Sequence, residues 1–238
     1  MNAIYKVILG FHGLLGLAAL ISYWVAVWAA KGSPRHRSAG KFYLLMMLGL
    51  VFTALPMAII LGYRGNVGIA VFLAYLVVIT STSMYLGWYA IQRKRDQSSY
   101  YDRRHLLVAW FNVAAAVTVL TVGWKVSSLL LMGFSVAGFS LAAQMLYRHQ
   151  RPLQSARWWL QEHYIAMLGC GVATHIAFLA IGLNRIAQGL GLQPPGWYSL
   201  IAWFMPLLVA NVVAVMLNRK YLPRGASAKA TLVQQTGG

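Results

Sequence analysis

The sequence predicts an all-α polytopic membrane protein with seven transmembrane helices, and three observations lead there. Of 238 residues, 60% are hydrophobic and the mean hydropathy is +0.63, above the range of a soluble domain this long. Apolar runs of about 20 residues recur along the chain, each able to cross about 30 Å of hydrocarbon at about 1.5 Å per residue. Basic residues gather in alternate connections between these runs, as they do in proteins threaded through a bilayer.

The first span, about 5–30, exceeds the apolar run of about 7–15 residues in a secretory signal and has only Lys6 as a charged start, so it is expected to remain a helix. Gly10, Gly13 and Gly16 give it a small-residue face suited to close packing. In the following Lys31 to Lys41, Ser33 can cap a helix and Pro34 can take its first position, so helix two is expected to begin ahead of its span at 42–62. Pro56 lies inside that span. The turn Tyr63 to Asn66 leads to the third span, 67–91, whose central Thr80, Ser81, Thr82 and Ser83 can bond their own helix or a neighbour. Spans four and five, 106–123 and 129–147, follow a polar loop. The segment Arg148 to Glu162 is expected to form a short interfacial helix with Trp158 and Trp159 at headgroup depth. Span six, 163–186, belongs to the apolar stretch Trp158 to Arg185, and span seven, 200–217, contains Pro206. Residues 219–238 read as a flexible tail.

Sixteen of the twenty Lys and Arg residues fall in alternate segments, which places the N-terminus outside and the C-terminus in the cytoplasm. The net charge of +17 would suggest nucleic acid in a soluble protein. Here it marks topology; no nucleic-acid partner is expected, and anionic lipid headgroups at the cytoplasmic face are. Asp96, Asp102 and Glu162 all map to the cytoplasmic side, leaving no carboxylate in a span and weighing against proton-coupled transport. Cys170, the single cysteine, reads as a small buried hydrophobe.

Topology converts position into depth. His12 maps about 10 Å and His175 about 16 Å below the outer surface, with Pro56 and Pro206 in the same half, where kinks can open space. This suggests an outer cavity in which His12 and His175 hold haem iron or contact another cofactor, giving a b-type electron carrier. His36 and His163 form a second candidate pair at the cytoplasmic edge, where His105 and His149 also map. Each histidine could instead bond a neighbouring carbonyl or hydroxyl. His163 and His175 lie about 120° apart around their helix and do not share a face. Ser135 after Gly133 and Phe134, with His175, resembles an intramembrane serine-protease dyad, but Val136 stands where a small residue is expected, and no catalytic residue is assigned. Arg35, His36 and Arg37 at a helix N-terminus could hold phosphate or a lipid headgroup.

The blocks FHGLLGL, KGSPRHRSAGKFYLLMML, HYIAM and WFMP together resemble a widespread, uncharacterised family of bacterial inner-membrane proteins with about seven helices. The resemblance implies a bacterial cytoplasmic-membrane location and marks His12, His36, Gly40, His163 and Met167 as recurrent positions. The layout is also similar to cytochrome b561-like haem proteins, although the paired histidines on consecutive helices are missing. The expected function is a haem b- or quinone-linked redox protein. The alternatives are a small-molecule or lipid transporter and an accessory subunit of a larger membrane complex.

Overall fold

The computed structural model describes residues 3–222 and contains helices and turns, with no strand among the described residues. The helices are α1 (Ala3–Trp28), α2 (Pro34–Tyr63), α3 (Val67–Gln92), α4 (Gln97–Tyr100), α5 (Arg103–Lys125), α6 (Leu129–Gln150) and α7 (Trp158–Ile176); after a π-helical segment, Ala177–Leu183, come α8 (Asn184–Gly189) and α9 (Gly196–Tyr221). Seven helical stretches are long and apolar enough to cross a membrane, the sixth running from Trp158 through the π segment to Gly189.

Local chemistry sets the starts. Ser33 Oγ accepts the His36 N–H at 3.2 Å with Pro34 at the first position, as the sequence implied. Asp102 accepts the N–H groups of Arg104 and His105 at 2.9 and 3.1 Å and starts α5. Gly65, at φ +80°, supplies the left-handed residue in the turn between α2 and α3.

Helices α3 and α7 pack along each other at the centre; the α1–α2 hairpin flanks α3 on one side, α5–α6 on the other, and α9 lies against α7 and the π segment. Glycine permits the central approach: a Cβ on Gly87 would lie 2.4 Å from the Met167 terminal methyl. The outer helices expose large apolar side chains, and α9 buries only Ala202. The bundle end that holds the turns 29–33, 93–96 and 151–157 is called the basic end below.

Three expectations change. Arg148 to Glu162 is not one interfacial helix: α6 continues to Gln150, Pro152 lies in the break, and α7 starts at Trp158. Trp158 is only 6% exposed and packs 5.1 Å from the Tyr100 ring, so it is a core residue. Gly10 and Gly13 have nothing within 4 Å of an added Cβ; of the three glycines Gly16 alone meets α2, at Leu50, and the tighter α1–α2 approach is that of Gly49 to Leu15. Of the tail, α9 takes residues up to Tyr221, and 223–238 lie outside the described residues.

Candidate functional site

His36 sits in the first turn of α2, and its Nδ1 lies 2.9 Å from the Ala26 carbonyl near the end of α1. Lys31 donates to the carbonyls of Ala26 and Val27 at 3.2 and 2.5 Å. The last carbonyls of a helix lack intrahelical partners and form the negative end of its dipole, so the basic turn closes back onto them. Burial, and then the neighbouring Lys220 ammonium, hold Lys31 below its ordinary pKa.

His163, early in α7, has Nδ1 2.8 Å from the Gly87 carbonyl of α3. A carbonyl can only accept, so Nδ1 carries the proton in both rings and Nε2 of the neutral imidazole keeps a lone pair. Gly40, one turn beyond His36, has open space where a Cβ would stand. His36 and His163, the second sequence-derived pair, thus both lie at the basic end, each on a different carbonyl.

The structure does not bring His12 and His175 together. His12 Nδ1 lies 2.7 Å from Thr53 Oγ1, whose own proton goes to the carbonyl of Gly49 or Leu50 at 2.9 or 3.0 Å, so His12 is the donor. His175 Nδ1 bonds the Gly171 carbonyl of its own helix at 2.6 Å, and its ring packs edge-on against Tyr23 and Trp24 at 5.3 and 5.5 Å. Those contacts fall eleven and twelve residues beyond His12, about 17 Å further along α1. The depth expectation fails because it ended the sixth span near Arg185, whereas the helix runs through the wider π segment to Gly189. His175 therefore lies deeper; its Nε2 is buried without a hydrogen-bond partner. The crevice beside Pro206 is apolar, about 40 Å³, and lined from α6 and α9 by Leu130, Phe134, Phe204 and Leu207 among others, with neither histidine in its lining. Ser135 bonds the Met132 carbonyl at 2.6 Å, while His175 bonds Gly171, so no dyad forms.

Above His163, Met167, Cys170 and Thr174 continue one face of α7. Thr174 Oγ1 lies 2.9 Å from the Tyr43 hydroxyl, and Cys170 is fully buried in a cluster with Ala19, Tyr43 and Met47. Among the described residues no three His, Cys, Asp or Glu side chains converge; ligation of haem by two imidazoles does not require three.

A second polar cluster at the basic end was missed from the sequence. Glu162, mapped there to the edge, is 6% exposed and accepts from the Tyr101 hydroxyl at 3.0 Å and the Tyr100 hydroxyl at 3.3 Å. Arg148 Nε stands 3.9 Å from the same carboxylate. His105, 1% exposed, bonds the Met145 carbonyl through Nε2 at 3.3 Å, and Asn112, 0% exposed, donates to Thr82 Oγ1 at 2.8 Å. The readable signal was the four-residue spacing of Trp158, Glu162, Ala166 and Cys170, which carries the buried face of α7 back to its first turn.

No family model, curated protein or solved structure matches the chain.

Proposed function

We propose that the protein is a redox protein of the bacterial cytoplasmic membrane whose cofactor, haem b or a quinone, is held at the basic end by His36 and His163. One observation carries this reading: two imidazoles at the basic end, from different helices, are each oriented by an Nδ1–H bond to a backbone carbonyl. That bond fixes the tautomer and raises the basicity of Nε2, which is how proteins prepare histidine for a metal. The same lone pair accepts a proton from a quinol hydroxyl. The donor set therefore fits either group; haem, when bound, supplies one-electron chemistry tuned by these ligands.

Positions marked by the family resemblance support the placement. His36, Gly40, His163 and Met167 lie at the same end, Met167 directly against Gly87, whereas His12 stands apart on Thr53. His12 and His175 enter as separate single contacts and not as an axial pair. Lys31 and Lys220, with Arg35 and Arg37 nearby in sequence, suit the anionic headgroups of the surrounding bilayer.

The test is an absorption spectrum of the purified protein, oxidised and then dithionite-reduced. A Soret band that shifts on reduction, is lost in His36→Ala and His163→Ala and survives in His12→Ala supports the haem form. A colourless protein that co-purifies with quinone, and loses it in the same two variants, supports the quinone form. With neither group bound by protein in native membranes the redox reading falls, and transport or an accessory role in a larger complex takes its place.

A further inference from the structure

We infer that Met47 and Cys170, with the flanking thioethers of Met84 and Met167, form a binding site for a soft monovalent cation, copper(I), in the interior of the bundle. The site is separate from the imidazoles of His36 and His163 and does not depend on what they hold. Sulfur is unevenly spread through the chain. Of its ten methionines and one cysteine, Met46, Met47, Met84, Met167 and Cys170 all belong to one packed cluster between α2, α3 and α7. Three helices thus bring thioethers to a single thiol, a donor set that suits copper(I) or zinc(II) and not the harder cations.

Local contacts leave the sulfur lone pairs uncommitted. Met47 is 2% exposed and Cys170 0%. Thr174 Oγ1 receives the Tyr43 hydroxyl at 2.9 Å and has one proton to give, to the Cys170 carbonyl at 3.0 Å or to Met47 Sδ at 3.4 Å. A carbonyl oxygen is the better acceptor and a thioether a weak one, so the proton goes to the carbonyl and Met47 Sδ is left free beside the turn that carries Cys170. On the α3 side, Met167 fills the space that Gly87 leaves, its Sδ 3.6 Å from where a Cβ would stand. Met84, three residues before Gly87, shares that face of α3 and packs on the same cluster. Methionine is unbranched with three rotatable bonds, so these thioethers can turn onto an ion while the helices stay in place.

Charge decides between the two ions. All three carboxylates of the chain lie at the basic end, and Cys170 stands eight residues beyond Glu162, about 12 Å further along α7. A divalent ion on one thiolate would keep a net positive charge in a bilayer interior, where an uncompensated charge is costly. Copper(I) and one thiolate sum to zero. On binding, the Cys170 S–H bond breaks, its proton passes to a buffer base in the aqueous phase and an S–Cu bond forms. The thioethers add lone pairs only, the copper stays monovalent, and nothing is oxidised or reduced.

Anaerobic titration of the full-length protein in detergent with copper(I), in competition with the chromophoric chelator bicinchoninate, tests this, followed by X-ray absorption of the loaded protein. A single copper(I) per chain in a shell of sulfur donors is expected. Met47→Leu and Cys170→Ser, both close in volume to the residues they replace, should each weaken binding at least about tenfold, the loss that even an outer-shell partner of a metal produces. His163→Ala and the exposed α9 variants Met205→Leu and Met216→Leu should leave it unchanged, and zinc(II) should not compete. Copper held as tightly by the Met47→Leu, Cys170→Ser double variant as by the wild type, or a shell of nitrogen donors in the wild type, overturns the site. The second result needs no variant to fold, and neither bears on the haem or quinone reading, which the His36 and His163 variants decide.

Discussion

Glu162 and His163 are consecutive on α7 yet face different worlds, because one residue of helix turns the side chain by about 100°. Glu162 looks toward α4, α5 and α6, into aromatic rings, an arginine and two phenol donors. His163 looks toward α3, makes one bond to a backbone carbonyl and has methionine above it. The first face is closed by side chains that the α4 turn delivers; the second leaves a nitrogen lone pair uncommitted. One helix thus fastens the basic end with one side and leaves an unbonded imidazole nitrogen on the other.

Truncation should separate these roles. Glu162→Ala removes the acceptor of two phenols and the counter-charge of Arg148, and is expected to cost about 3 kcal/mol. His163→Ala loses one hydrogen bond to a carbonyl that still has its helical partner, and should cost about 1 kcal/mol. Unfolding midpoints of the two variants in the same detergent check the difference, and equal losses would break the comparison.

Higher on α7, Gly171 sharpens it. An added Cβ there would stand 2.3 Å from the Tyr23 hydroxyl and 2.5 Å from its Cζ, so the ring that packs on His175 must move. Gly171→Leu should cost about 2 kcal/mol through overpacking. Gly87→Ala should cost less than about 1 kcal/mol, since the atom it meets first is the flexible end of Met167. Thermal unfolding of the pair ranks them, and a costlier Gly87→Ala would mean that the His163 side is the more rigid of the two.

Much of the architecture was legible because hydrocarbon thickness, helical rise and the cap at Ser33 act locally on the chain. His36 and His163 could be grouped by end because both lie within two turns of a helix start, where small errors of register matter little. His12 and His175 could not. Their relative depth depended on how far the sixth helix runs past Leu183, and a π segment followed by α8 leaves no signature in hydropathy. The Tyr198 hydroxyl, bonded to the Leu179 carbonyl at 2.6 Å, helps to secure that segment from α9, a contact between residues 19 apart. Glu162 was hidden for a related reason: its phenol partners come from a four-residue helix, α4, and the residue that ends it, inside what composition shows only as a polar loop.

The smallest expected effect lies outside the spans, at Asp96, whose exposed carboxylate accepts from Ser98 Oγ at 2.7 Å and from the Ser99 N–H at 3.1 Å. The Ser98 hydroxyl and then the Ser99 N–H favour the ionised form and hold this carboxyl below its ordinary pKa of 3.8. A depressed carboxyl pKa stabilises the fold above the unfolded value and loses that contribution as pH falls through the folded value. Protection of the Ser99 amide from hydrogen exchange should therefore persist at neutral pH and weaken only in acid below the ordinary carboxylate range, once intrinsic exchange is corrected. Asp96→Asn should flatten that dependence while Glu162 and its phenols stay unchanged. If it also disturbed the Tyr101 contact, the α4 cap and the buried carboxylate would be one coupled unit, and the closed face of α7 would extend out to the loop.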